Sequence, residues 1–107
     1  MAGKLKANSV DAIRNSASNA CSLLKVLANE DRLMLLCQLT QGEKNVGELE
    51  QSTNILQPTL SQQLTKLRQE KIVSTRKDGK FIYYNISSNE VIDVMRTLSG
   101  LYGCNTK

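Results

Sequence analysis

Pro58 is the only proline among 107 residues, and it separates two helical patterns. Proline fits the first turn of a helix, where its missing N–H costs no hydrogen bond. It also biases the preceding residue, Gln57, towards extended backbone. A short helix opening with Val46, Gly47, Glu48, Leu49 and Glu50 is therefore expected to end near Thr53, and the next to begin at about Pro58. The second helix carries apolar anchors at Leu60, Leu64 and Leu67, the spacing that buries one helical stripe. Two helices joined by a tight turn make a helix-turn-helix unit.

The start of the second helix is crowded with hydrogen-bonding side chains: Gln57, Thr59, Ser61, Gln62 and Gln63. A helix that buries one stripe and presents amides and hydroxyls at its N-terminus suits the major groove of DNA. Gln57, Thr59 and Gln62 are the expected base contacts: glutamine pairs with adenine in a bidentate way, and the threonine methyl meets the thymine methyl. Ser61, Gln63 and Lys66 are the expected backbone contacts. Each of these side chains taken singly reads equally well as ordinary solvent-exposed polarity; their clustering carries the argument.

Beyond Glu70 the apolar pattern changes period. Residues 72–77 and 80–86 are rich in β-branched and aromatic side chains, and Asp78-Gly79 between them is a strong hairpin signal. With Asp78 and Gly79 as the turn, Lys77 is expected opposite Lys80, and Arg76 opposite Phe81. Arg76, Lys77 and Lys80 then crowd the tip, where like charges repel. That arrangement suits a polyanion lying against it, to which the three cations would lend sequence-independent, salt-sensitive affinity. A solvated tip with spare lysines is the plainer alternative.

In the first third of the chain, Val10, Ile13, Ala17, Ala20, Leu24 and Leu27 follow one another at alternating steps of three and four. This seam fits a helix packed on its own domain, or one shared with a second subunit. Asn29, Glu30 and Asp31 mark the start of a second helix, apolar on almost all sides from Leu33 to Leu39 and hence central; Gly42 is its expected terminator. After the hairpin, residues 87–90 cap a last helix with Val91, Val94, Met95, Leu98, Leu101 and Tyr102 on its apolar side, ending at Gly103. The order predicts a mainly α fold with a β-hairpin wing: a winged helix-turn-helix, homodimeric through its first and last helices. Residues 1–107 form one domain, with 1–8 a frayed arm. A two-fold dimer would read an inverted repeat in double-stranded DNA.

Composition closes other routes. The chain carries 14 basic and 10 acidic side chains, a formal charge of +4, useful only where it is concentrated. It has no apolar run long enough for a membrane span and no signal-peptide pattern at its start, so a cytoplasmic protein is expected. There is no histidine, and Cys21, Cys37 and Cys104 include no Cys-x-x-Cys pair. Neither a zinc site, another cofactor site nor ordinary hydrolase or nucleotide chemistry has visible machinery. A non-enzyme without cofactors follows.

Several ordered motifs match a known family. They are residues 24–33; Val46, Gly47, Glu48 and Leu49; residues 57–68; and residues 72–77 with Tyr83 and Tyr84. With these the chain resembles the ArsR/SmtB family of bacterial winged-helix repressors, over residues 20–104. The resemblance implies a homodimer that leaves operator DNA when an inducer binds. The family's metal sensors carry Cys-x-Cys before the turn or Asp/His ligands on the last helix, and this chain has neither set. It is similar, more narrowly, to the biofilm-growth and sulfide-responsive repressor branch, which holds one cysteine in the second helix and one at the end of the last. Cys37 and Cys104 fall at those positions, and the resemblance implies that persulfides or polysulfides bridge them. Taken on its own, Cys37 reads as a small buried hydrophobe, whereas Cys104 follows a helix-ending glycine. Three rival functions remain: the same fold as a regulator or anti-repressor without a thiol switch, a thiol or sulfur-transfer enzyme, and a winged helix used only for protein contacts.

Overall fold

Side-chain oxygens fix where most of the helices begin. In the computed structural model, which describes residues 9–103, α1 (Val10–Leu27) opens on Ser9, whose hydroxyl accepts from the Ala12 N–H. α2 (Glu30–Leu39) opens on Asn29, which accepts from the Arg32 N–H. α3 (Val46–Thr53) has a full capping box: Asn45 accepts from the Glu48 N–H, and the Glu48 carboxylate accepts from the Asn45 N–H, both at 2.9 Å. α5 (Asn89–Tyr102) opens on Ser88, which accepts from the Val91 N–H. Such caps satisfy donors that a helix start leaves open and contribute ~1 kcal/mol each. α4 (Thr59–Gln69) begins directly after Pro58, in keeping with the expected junction, and the Gln57–Pro58 peptide is cis.

The turn between α3 and α4 is held from inside. Asn54 adopts a left-handed conformation (φ 61°) that ends α3, a conformation asparagine tolerates better than most residues. Thr53 is buried; its hydroxyl donates to the Leu49 carbonyl at 2.7 Å and accepts from the Ile55 N–H at 3.2 Å. α4 ends in a Schellman motif, with the Ile72 N–H bonded to the Leu67 carbonyl and the Lys71 N–H to the Arg68 carbonyl. The buried side chains of Leu67 and Ile72 then direct the chain into the sheet.

β1 (Lys44–Asn45), β2 (Val73–Asp78) and β3 (Phe81–Ile86) form an antiparallel sheet in the order β1-β3-β2. The two-residue β1 has no signature in the sequence, because it pairs only with the non-local residues Tyr83 and Tyr84. The hairpin register corrects the sequence expectation. Asp78 lies opposite Phe81, Lys77 opposite Ile82 and Arg76 opposite Tyr83, so Gly79 and Lys80 form the turn and Lys77 does not face Lys80. The reason is backbone geometry. Gly79, at φ +63°, takes the first turn position, which a type II′ turn reserves for glycine. The expected turn would have demanded a positive φ at Asp78 as well, and among the described residues only Asn54 and Lys71 adopt one without being glycine.

α2 lies at the centre, as its all-round apolar pattern predicts: Leu35, Leu36, Cys37 and Leu39 are buried, and only Met34 of that run is exposed. Around it pack Leu49, Leu60, Leu64, Leu67, Val73, Val91 and Met95. α1 behaves differently. Of its six seam positions only Leu27 is buried, while Val10, Ile13 and Leu24 are 72%, 53% and 56% exposed. In α5, Val91 and Met95 face the core, Val94 and Leu98 pack against its edge, and Leu101 and Tyr102 are exposed. No helix among the described residues is long and apolar enough to cross a membrane.

Leu64 is 2% exposed at the centre of the α4 stripe. Leu64→Ala is expected to destabilise the fold by about 2–5 kcal/mol, read as a lowered urea midpoint with an unchanged slope.

Candidate nucleic-acid interface

Three leucines orient α4. Leu60, Leu64 and Leu67 are 0%, 2% and 0% exposed, which fixes the opposite stripe of the helix. At about 100° per residue that stripe carries Thr59, Gln62, Thr65, Lys66 and Gln69, all exposed. Thr59 and Gln62 thus stand where the sequence reading placed them, at the accessible N-terminal half.

The other expected contacts are partly engaged within the chain. The Gln57 side-chain carbonyl accepts from the Ser61 N–H at 3.1 Å and from the Ser61 hydroxyl at 2.6 Å. Gln57 therefore caps a helix whose formal N-cap, Pro58, has no side chain to do so. Gln63 is half-buried on the flank, and its carbonyl accepts from Arg32 Nη1 at 2.9 Å. Arg32 also donates through Nε to the Val26 carbonyl, so one guanidinium joins the end of α1, the start of α2 and α4. Lys66 pairs with Glu70 at 3.3 Å, one turn along the helix. Both are well exposed, so this bond is weak and leaves Lys66 available.

The sheet has two unlike faces. Side chains alternate along a strand, and directly opposed residues share a face. Val73, Thr75 and Lys77 of β2 therefore share a face with Ile86, Tyr84 and Ile82 of β3; Val73 is buried there, and Tyr84 and Ile86 pack against the core. The outer face carries Arg76, Asp78, Phe81 and Tyr83. On it Arg76 makes a forked ion pair with Glu43 through Nε and Nη2, lies 3.6 Å from Asp78, and stacks over the Tyr83 ring at 4.8 Å from its centroid. The three wing cations of the sequence reading are thus separated: Lys77 lies on the α4 side, Lys80 in the turn, and Arg76 on the far face beside two carboxylates. Hydrogen bonding from Arg76 holds the Glu43 carboxyl below its ordinary range, with desolvation opposing and the guanidinium charge assisting. Reciprocally, the Glu43 hydrogen bond raises the Arg76 pKa.

Cys37 sits in the buried part of α2 with its sulfur in a disulfide, and its carbonyl accepts from the Thr40 hydroxyl at 2.6 Å. Cys104 lies outside the described residues. Cys21 is free and exposed on α1.

A family model described as bacterial regulatory protein, arsR family, matches residues 29–75, which run from the cap of α2 into β2. The "Transcriptional activator HlyU" of Vibrio cholerae is 44% identical over 83% of this chain and 82% of its own. This chain belongs to the arsR family. The crystal structure of the transcriptional repressor BigR from Xylella fastidiosa superposes with a TM-score of 0.84 at 39% identity, covering 92% of this chain and 98% of the other. The solution structure of the homodimeric winged helix-turn-helix DNA-binding domain of Mb0332 from Mycobacterium bovis, at 27% identity, covers 96% and 91% with a TM-score of 0.72. This arsR-family member is a transcriptional regulator of the winged helix-turn-helix type.

Sequence reasoning passed over four residues of this arsR-family surface. Thr65 and Gln69 could have been found, since they follow Gln62 at helical spacing on one stripe. Arg32 and Glu43 could not, because their partners are 31 and 33 residues away.

Because the folded Glu43 titrates below its unfolded counterpart, its pair with Arg76 favours the folded state at neutral pH. That contribution fades as pH falls through the ordinary carboxylate range and the lower folded midpoint. Carboxyl-detected NMR titration should show the Glu43 midpoint move upward in Arg76→Gln; an identical midpoint in both proteins would refute the pairing in solution.

Proposed function

We propose that this protein is a homodimeric, sequence-specific DNA-binding repressor of transcription, released from an inverted-repeat operator when Cys37 and Cys104 react with persulfides, polysulfides or related oxidants. The exposed polar stripe of α4, opposite its three buried leucines, carries the DNA-binding reading. Gln57, Thr59 and Gln62 are its base-reading candidates, with the free amide N–H₂ of Gln57 the part left over from capping. Ser61, Gln63, Lys66, Lys77 and Lys80 are its backbone candidates. The pairing of Arg76 with Glu43 argues that Arg76 sets the wing's position before it touches any phosphate. DNA-binding and repressor are also the words attached to the Mycobacterium and Xylella structures.

The dimer reading is supported by the unburied seam of α1, by exposed Leu101 and Tyr102 near the end of α5, and by the homodimeric Mycobacterium relative. Two copies related by a two-fold axis would set their α4 helices in successive major grooves, roughly 34–36 Å apart. Ile13→Asp with Leu24→Asp is expected to yield a monomer in sedimentation and to abolish operator binding; a dimer that still binds would place the interface elsewhere.

The thiol switch has a balanced chemistry. One thiolate takes a sulfane sulfur from a polysulfide, leaving a polysulfide one atom shorter and a cysteine persulfide. The second thiolate attacks the cysteine sulfur of that persulfide and expels hydrosulfide, forming a disulfide. The disulfide at Cys37 is compatible with this sequence of steps. The effect could reach DNA through α2 itself: five residues before Cys37, Arg32 holds Gln63 on α4. Operator binding followed by fluorescence anisotropy should fall when reduced protein meets polysulfide, and recover with dithiothreitol. Cys37→Ser and Cys104→Ser should bind and fail to release; release by both variants would remove the thiol switch while leaving the DNA reading intact.

A second reading is favoured by the word activator in the name of the Vibrio relative. Here the protein displaces another repressor from overlapping DNA, with no thiol switch. Transcription in a purified system containing no other regulator separates the two, since only a repressor lowers it there.

A further inference from the structure

Between the C-terminal half of α4 and the middle of the sheet lies a cleft of about 370 Å³, lined by Thr65, Arg68, Gln69 and Tyr84. The four lining residues carry between them two hydroxyls, one guanidinium and one amide, and none is acidic. Arg68 takes part in none of the ion pairs among the described residues, whose basic members are Lys66, Arg76 and Arg96. A guanidinium free of carboxylates, beside two hydroxyl donors, matches an anion with several acceptor oxygens. Since a water takes up about 30 Å³ of liquid, the space admits a tetrahedral anion together with its hydration.

The placement of the cleft says which anion. Thr65 and Gln69 belong to the exposed stripe of α4 that also holds Thr59 and Gln62, and Arg68 lies on the flank of that stripe beside the sheet. Tyr84 stands on the sheet face that carries Lys77, two residues further out on the neighbouring strand and so about 7 Å nearer the tip. The cleft and Lys77 therefore lie in line, beside the helix surface assigned to base reading. The one wing arginine, Arg76, is on the opposite face and held by Glu43.

We propose that this cleft seats a phosphate of the DNA backbone, with Arg68 as the charged donor, Thr65 and Tyr84 as hydroxyl donors, and Lys77 meeting the next phosphate towards the wing tip. The inference rests on the DNA-binding reading above and adds a site to it. Base contacts at the N-terminal half of α4 would orient the helix in the groove, and this seat would hold its other half at a set depth.

The test uses the full-length protein and a random-sequence duplex, followed by anisotropy over a range of salt concentrations. Arg68→Gln is expected to weaken binding and to reduce the slope of log affinity against log salt by about 0.9 for each phosphate no longer neutralised. Arg68→Lys should restore most of the slope. Thr65→Val, which keeps the side chain's shape, should weaken binding with the slope unchanged. An unaltered slope in an Arg68→Gln protein that melts like the wild type would overturn the proposal. If Arg68→Gln fails to fold, Thr65→Val decides: wild-type affinity in that variant counts against the seat. Inorganic phosphate competing no better than chloride at equal ionic strength supports the DNA backbone as the occupant. Selective displacement by phosphate would assign the cleft to a free anion and overturn the proposal as stated. A wild-type protein that binds no duplex removes the DNA reading itself, whereas salt-dependent binding indifferent to Arg68 removes only this seat.

Discussion

The burial of Leu60, Leu64 and Leu67 on the central helix α2 is the contact on which the rest depends. It fixes the rotation of α4 about its own axis, and rotation decides which polar residues meet solvent. Each fully buried leucine contributes about 1.5–3 kcal/mol through the area it removes from water, which is a large share of the stability of a small domain. The Thr53 hydrogen bonds on one side and the Schellman motif on the other then set where α4 enters and leaves. A surface that could read DNA is thus the by-product of a well-anchored hydrophobic stripe.

Charge is distributed by strand register more than by composition. An excess of four positive charges over 107 residues says little. The register places Lys77 on the α4 side of the sheet and Arg76 on the other, where Glu43 and Tyr83 engage it. A slip of one residue would reverse these faces. Arg76 is better seen as a brace between the wing and the segment before β1 than as a free cation. With Arg76 paired, Lys77 on the α4 side of the sheet takes part in none of the ion pairs among the described residues.

Arg32 gives the molecule an internal link that no local pattern announces. Its guanidinium touches the last turn of α1, belongs to α2 and holds Gln63 of α4. These bonds tie α1 to α2 and α2 to α4 beside the apolar packing of the core. That is a physical path between the exposed residues of α1, the helix of Cys37 and α4.

The sequence by itself determined the order of the helices and the hairpin, the junction at Pro58, the buried stripe of α4 and the family, because these rest on short-range periodicity, on caps and on proline geometry. It also marked Thr59 and Gln62 as accessible, since their positions follow from the leucines beside them. It did not determine the hairpin register, where the backbone demands of Gly79 outweighed the usual turn signal, nor the strand β1, nor the ties of Gln57 to Ser61, Gln63 to Arg32 and Arg76 to Glu43. All but the Gln57 tie depend on how the chain folds back on itself, and the Gln57 cap depends on the local geometry at Pro58. Only tertiary structure could decide that α1 leaves its apolar seam uncovered at every position but Leu27 within one subunit, because a heptad-like pattern looks the same whether its partner lies in the same chain or in another.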